Sequence, residues 1–147
     1  MSEQTIHPMN QLIEKLAHAV PDLDDLQRTL GTTFKQSNEN PYWRYYEFGV
    51  QSGSGLIGQG EYRKSKEGNK ALLSLSPKAD LPIHEADLKL EHWGAIQNFR
   101  VNPRIPPEGT DTYIYRIDKT QVSFQLTHVA RLLRSVVLEW GVAATGE

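Results

Sequence analysis

The spacing of apolar residues near the start of the chain predicts a first helix over residues 8–20. These residues recur three or four positions apart and therefore share one helix face: Met9, Leu12, Ile13, Leu16 and Val20. Pro8 suits a first helical turn, and Pro21 cannot continue the helix. A short second helix is predicted to follow, with Asp22 as its N-cap and Gly31 just past its end.

From residue 41 onward the pattern changes to that of β-strands. Aromatic residues dominate Tyr42 to Val50, and turn residues separate two further pairs of strand-like segments. The predicted hairpins join residues 60–65 with 71–76, and residues 112–117 with 121–126. The rest of the pattern predicts a helix over residues 83–93, a proline-rich loop over 102–110 and a last strand over 132–140.

The order of these elements predicts the fold class. Helices first and strands afterwards, without regular alternation, indicate an α+β fold in which a single layer of helix covers a mainly antiparallel sheet. The 147 residues are expected to form a single domain, helical over 8–30 and β-rich over 41–140. Seven residues are predicted to lie in its core: Leu12, Leu16, Leu73, Leu75, Phe124, Val137 and Trp140.

Composition narrows the classes of function. The chain carries 16 basic and 18 acidic residues, and this balance argues against a nucleic-acid or anionic-membrane partner. It has no cysteine, which excludes disulfides, thiolate zinc sites and thiol nucleophiles. The first residues show neither a basic nor an apolar signal region, so we expect a cytoplasmic protein. Its apolar runs are too short to span a bilayer.

Two motifs suggest chemistry that their context does not support. Gly53, Gly55 and Gly58 have the spacing of a dinucleotide-binding loop, but that loop needs a helix where residues 59–64 look like strand and loop. We therefore expect no nucleotide and no other cofactor.

A second set of residues has the composition of a metal site. His84, Asp87 and Glu91 would share one face of the predicted helix, but the second histidine of a helical zinc motif is missing. A solvated, charged helix face is the simpler interpretation. No serine lies in a nucleophile-elbow sequence either. We therefore predict no metal ligands and assign no catalytic residues, and from these motifs alone enzymatic activity stays open.

Four segments together resemble small bacterial immunity proteins, which neutralise the toxins of contact-dependent and other polymorphic secretion systems. The resemblance spans residues 40–140 and rests on Pro41–Glu47, the hairpin ending in Leu72–Leu75, Val122–Phe124 and Leu133–Trp140. It implies a protein without enzymatic activity that binds a cognate toxin and blocks it by occlusion. Two other classes stay open, namely a small-ligand-binding or enzymatic α+β domain and a secretion-system adaptor or chaperone.

Five residues are predicted to form one partner-binding surface. Tyr45 and Glu47 come from the aromatic strand, Glu108 and Asp111 from the end of the proline-rich loop, and Tyr113 lies beside them. Tyrosines supply a rigid contact area, and carboxylates favour a basic partner. A loop with several prolines also loses little entropy when it docks. The alternative is a solvated loop beside a strand whose tyrosines pack in the core.

Overall fold

The computed structural model describes residues 8–18, 22–49, 57–67, 70–78, 82–106, 108–118 and 120–141. Its helices are α1 (Pro8–Ala17), α2 (Leu23–Leu30), α3 (Glu85–Leu88) and a 3₁₀ helix (Leu90–Trp93). Its strands are β1 (Lys35–Glu39), β2 (Trp43–Gly49), β3 (Ile57–Ser65), β4 (Ala71–Pro77), β5 (Asn98–Asn102), β6 (Thr110–Ile117), β7 (Thr120–Thr127) and β8 (Leu133–Trp140).

The eight strands form one antiparallel sheet in the order β1-β2-β3-β4-β8-β7-β6-β5. Each half is a meander of four consecutive strands, and the halves meet where β4 pairs with β8. This arrangement makes β1 and β5 the two edges of the sheet. The predicted α+β class, with N-terminal helices and an antiparallel sheet, is confirmed.

Local signals account for the helices at the N-terminal side. The Asp22 side chain accepts a hydrogen bond from the Asp25 backbone N–H at 2.8 Å, which satisfies one of the unpaired donors of α2. Gly31 ends α2 in the left-handed region, with a φ of 70°, as its lack of a Cβ permits. Helix α1 ends at Ala17, earlier than predicted, and residues 19–21 lie outside the described part of the chain.

The predicted hairpins and the last strand are confirmed, while three segments differ from expectation. The helix predicted over residues 83–93 is divided into α3 and the 3₁₀ helix at Lys89, whose φ is 47°. Strands β1 and β5 were not predicted. Their residues are exposed throughout, and β1 contains no apolar residue, so it shows no alternation that marks a strand in sequence.

Alternation along the strands places one set of side chains beneath the helices, on what we call the helix face. A row of directly paired residues crosses this face and is buried throughout: Tyr62, Leu73, Leu138, Val122 and Tyr115. Trp140 is 2% exposed, and its Nε1 donates to the Leu16 carbonyl at 3.1 Å, which ties β8 to α1. We call the opposite side, which carries no helix in the described residues, the open face.

The predicted core is confirmed except at one position. Val137 is half-buried, because it alternates with the buried Val136 and Leu138 and therefore lies on the open face. Of the three glycines in the candidate nucleotide motif, Gly58 lies inside β3, which continues as a strand. Gly53 and Gly55 lie outside the described residues. In the described part of the chain, no helix has the length and apolar character needed to cross a membrane.

Candidate functional site

The structure places four of the five predicted partner-binding residues on opposite faces of the sheet, and the fifth, Glu108, lies in the loop before β6. Asp111 and Tyr113 pair directly with buried residues of β7 and lie on the helix face. Tyr45 and Glu47 alternate with the core-facing Phe48 and lie on the open face. Strands β2 and β6 are also five spacings apart, or about 24 Å. The expectation of one surface that combines all five residues is therefore wrong.

Tyr45 and Glu47 line a groove of about 450 Å³ on the open face. Glu47 lies directly opposite Glu61 in the register of β2 and β3, so two exposed carboxylates face each other across the strands. Tyr45 lies opposite Arg63, whose guanidinium sits 4.8 Å from the ring centroid of Trp43. Like charges at directly opposed positions cost stability. This groove is separate from the residues of β6.

The other predicted residues lie beside a cluster of exposed apolar side chains at the β5 edge. Phe99 is 45% exposed and Val101 54% exposed, and both lie on the helix face. The rings of Phe99 and Tyr113 are 5.0 Å apart. Val129, in the turn between β7 and β8, is 73% exposed. We call these four residues the edge surface.

A network of polar side chains underlies the edge surface, and Arg131 is its centre. Its guanidinium donates to Glu85 at 2.9 Å, to the Asp111 carboxylate and to the Tyr113 hydroxyl. His128 Nδ1 lies 3.0 Å from the second Asp111 oxygen. We call these five residues the Arg131 cluster. It joins α3, β6 and the β7–β8 turn, and therefore holds the edge surface against the rest of the fold.

The backbone of Arg131 takes part in the same structure. Its φ of 58° is in the left-handed region, which costs a residue with a side chain about 1–2 kcal/mol. Its N–H donates to Thr127, at 3.1 Å, and its carbonyl accepts from Glu85, at 2.9 Å. These bonds and the guanidinium contacts offset the strain, so side chain and backbone together determine the shape of the turn.

Hydrogen bonds and charges shift the pKa values of two members of the cluster, Asp111 and Arg131. Burial alone would raise the pKa of Asp111, but hydrogen bonds and charges from His128 and Arg131 outweigh it and lower the pKa below its usual range. Hydrogen bonds to Glu85 and then to Asp111 and Tyr113 raise the pKa of Arg131, which therefore keeps its charge. Asp111 has a side chain only 6% exposed, so its carboxylate serves the fold and is not free to meet a basic partner.

Glu108 stabilises the turn that carries Val129. One Glu108 oxygen accepts from the N–H groups of Val129 and Ala130, at 2.6 and 2.7 Å. These bonds lower the pKa of Glu108. The proline-rich loop is confirmed over residues 103–106 and 108–109, while Asn102 and Thr110 belong to strands and residue 107 lies outside the described part of the chain. The loop closes on Gly109, where a Cβ would lie 2.9 Å from Pro103. Glu108 therefore organises the edge surface without presenting a free charge.

The sequence reasoning missed β5, His128, Arg131 and the role of Glu85. The strict alternation of polar and apolar residues over Asn98–Asn102 is the one signal that could have indicated β5. Arg131 has no comparable signal, because its partners Glu85 and Asp111 lie 46 and 20 positions away in sequence.

The residues considered for a metal site have other roles. Asp87 accepts from the His84 backbone N–H at 3.3 Å, as a carboxylate in the first turn of α3 does. Glu91 belongs to the separate 3₁₀ helix, so the predicted single helix face does not exist. Within the described segments, no group of three or more histidine or carboxylate side chains is placed to hold a metal ion.

Comparison with family models, with curated proteins and with solved structures finds no match to this chain.

Proposed function

We propose that this protein binds one protein partner through the edge surface and that, as its resemblance to immunity proteins implies, the partner is a bacterial toxin that it blocks by occlusion. The observation that carries this proposal is the group of exposed apolar side chains on a stiff support. Phe99, Val101 and Val129 are each 45% exposed or more. Phe99 packs against Tyr113, Val101 lies two residues further along β5 on the same face, and Val129 lies in the turn held by Glu108. Contiguous exposed apolar groups mark interaction sites on soluble proteins.

The support beneath these residues favours tight binding. Arg131 contacts three side chains, and Glu108 holds the turn that carries Val129. A surface that is ordered before binding loses less conformational entropy on association. Tyr113 also has the character of an interface anchor, since it offers an aromatic ring over which the Arg131 guanidinium lies at 5.5 Å.

The polar groups at this site already hydrogen-bond to one another or to the backbone, which favours a binding role. The Asp111 carboxylate is engaged by His128 and Arg131, and Glu108 is engaged by backbone N–H groups. A partner would therefore meet an apolar centre with a satisfied polar rim, as at many protein interfaces.

The test begins with capture of the tagged protein from cells of its source organism and identification of the co-purified protein. Affinity for that protein is then measured by calorimetry for two variants, Phe99→Ser and Tyr42→Ser. Tyr42 is the matched control, because it is 74% exposed and lies between β1 and β2, at the far edge of the sheet.

We expect Phe99→Ser to weaken binding by about tenfold or more, as loss of an interface anchor does, and Tyr42→Ser to leave it unchanged. Equal affinities of both variants would overturn the assignment of the edge surface. The toxin assignment is tested separately, since expression of the captured protein alone should arrest growth and co-expression with this chain should restore it. Normal growth in both cases would refute it.

A further inference from the structure

The two edges of the sheet differ in their protection against pairing. Strand β1 reads Lys-Gln-Ser-Asn-Glu and carries a register irregularity between Gln36 and Asn38. Strand β5 pairs with β6 in an uninterrupted register over all five residues, and Phe99 and Val101 on it are exposed. β5 therefore lacks the irregular pairing of β1 and, unlike β1, carries apolar side chains on one of its faces.

This difference matters because an unpaired edge presents free backbone donors and acceptors to any extended chain. Natural sheets block such pairing with lysines, bulges or charged side chains that point inward. β1 has a lysine and a bulge-like irregularity, whereas the residues of β5 on the helix face are apolar. An edge strand that is regular and apolar on one face, such as β5, is suited to accept a further strand.

We infer that β5 accepts an extended segment of the partner protein as a ninth strand, an inference that rests on the proposed function. In an added strand, alternate residues would lie on the helix face beside Phe99 and Val101, where apolar side chains fit. The residue between them would lie on the open face opposite Arg100. Arg100 is exposed and has no ion-pair partner among the described residues, so an acidic residue fits that position.

The same charge disfavours the register in which a second copy of this chain would pair most of its apolar residues with those of β5. An antiparallel pair of β5 strands that matches Phe99 of one copy with Val101 of the other centres on Arg100. It would place two arginines directly opposite each other, which is unfavourable. A partner strand with an apolar–acidic–apolar pattern avoids this repulsion and gains an ion pair.

The probe is a blocked synthetic peptide, Thr-Thr-Val-Glu-Val-Thr-Thr, compared with the same peptide carrying lysine in place of glutamate. Binding is followed by NMR titration, and amide hydrogen exchange is measured at β5 and at β1. We expect the glutamate peptide to slow exchange at residues 98–102 and to leave β1 unchanged. We also expect it to bind about fivefold more tightly than the lysine peptide, as opposed cross-strand charges require.

Two variants sharpen the test. Arg100→Glu replaces an exposed side chain and should reverse the preference, so that the lysine peptide binds more tightly. Ser37→Lys on β1 is the control and should change neither affinity. Thermal unfolding confirms that both variants are folded.

The inference would be overturned if millimolar peptide left amide hydrogen exchange at β5 unchanged, or if it slowed exchange equally at β1 and β5. Concentration-dependent protection of β5 without peptide would overturn it in favour of self-association. The two proposals fail separately. If Phe99→Ser weakens binding of the captured partner while amide exchange at β5 stays unchanged in the complex, the proposed function stands and the strand addition is wrong. If Phe99→Ser and Tyr42→Ser bind that partner equally well, the proposed function itself is wrong.

Discussion

Replacing Asp111 by asparagine tests whether the Arg131 cluster holds the β7–β8 turn in place. The substitution keeps the shape of the side chain and removes its charge. Removing one partner of a buried ion pair costs about 3–5 kcal/mol. Arg131 keeps its bonds to Glu85 and is 28% exposed, so solvent and a second carboxylate compensate for part of the loss. We therefore expect the free energy of unfolding to fall by about 2 kcal/mol.

Acid should remove this difference between the parent and Asp111→Asn. The pKa of Asp111 is lower in the folded protein than in the unfolded chain, where it is about 3.9. Its contribution is therefore complete above that value and is lost as the pH falls through the folded-state pKa. The stability gap between parent and variant should narrow as the pH is lowered below about 4.

Urea unfolding, followed by tryptophan fluorescence at several pH values, measures both effects. The matched control is Asp25→Asn, the same chemical change at an exposed ion pair with Arg28, where little change is expected. A gap at pH 7 smaller than about 0.5 kcal/mol, the usual scale of a surface substitution, would refute the assigned role of Asp111. A gap that does not respond to acid would show that the charge is not the cause.

Three further predictions concern the core and the helix–sheet contacts. Trp140→Ala should lower the free energy of unfolding by about 3–5 kcal/mol in urea, since the side chain is fully enclosed. Gly60→Ala should cost about 1–3 kcal/mol, because the new Cβ would lie 2.4 Å from the Phe48 ring. Hydrogen bonding to Asp118 raises the pKa of His18, so its stabilisation is present below pH 6.5 and lost as the pH rises through the folded-state value. The melting temperature of His18→Gln should therefore depend less on pH between 5 and 9.

Each of these has its own control. An unchanged urea midpoint for Trp140→Ala would contradict its burial. Gly58→Ala, whose Cβ would meet backbone atoms at 3.2 Å, should be milder than Gly60→Ala, and the reverse order would contradict the close approach of Phe48. Parallel pH profiles for the parent and His18→Gln would show that the contact with Asp118 does not form in solution.

Local signals predicted most of the secondary structure. Asp22 and Gly31 flank α2 at its two ends and act within one helical turn. The prediction of where α2 begins and ends therefore did not depend on the rest of the fold. Alternation along β7 likewise determined which of its side chains are buried, since successive residues of any strand point to opposite faces. The same rule corrects Val137, which the sequence analysis placed in the core against the alternation of its own strand.

The candidate site depended on contacts that no local pattern contains. Tyr45 and Asp111 looked equally available in sequence, but the pairing of β4 with β8 sets β2 and β6 far apart, and the register puts the two residues on opposite faces. The side chains that Arg131 contacts come from α3 and β6, and its backbone N–H donates to the last residue of β7. Such a cluster arises when several elements converge, and the polar residues concerned carry no periodicity to indicate it.

The sequence by itself determined the two N-terminal helices, most of the strands and the α+β class, because hydrophobic periodicity and capping act over a few residues. Only the tertiary structure decided which strands became edges, which carboxylates were already paired and where apolar side chains remained exposed. Those outcomes follow from long-range strand pairing. Phe99 is exposed because no strand follows β5 in the sheet, and Asp111 is buried because Arg131 and His128 return to it from the turn after β7.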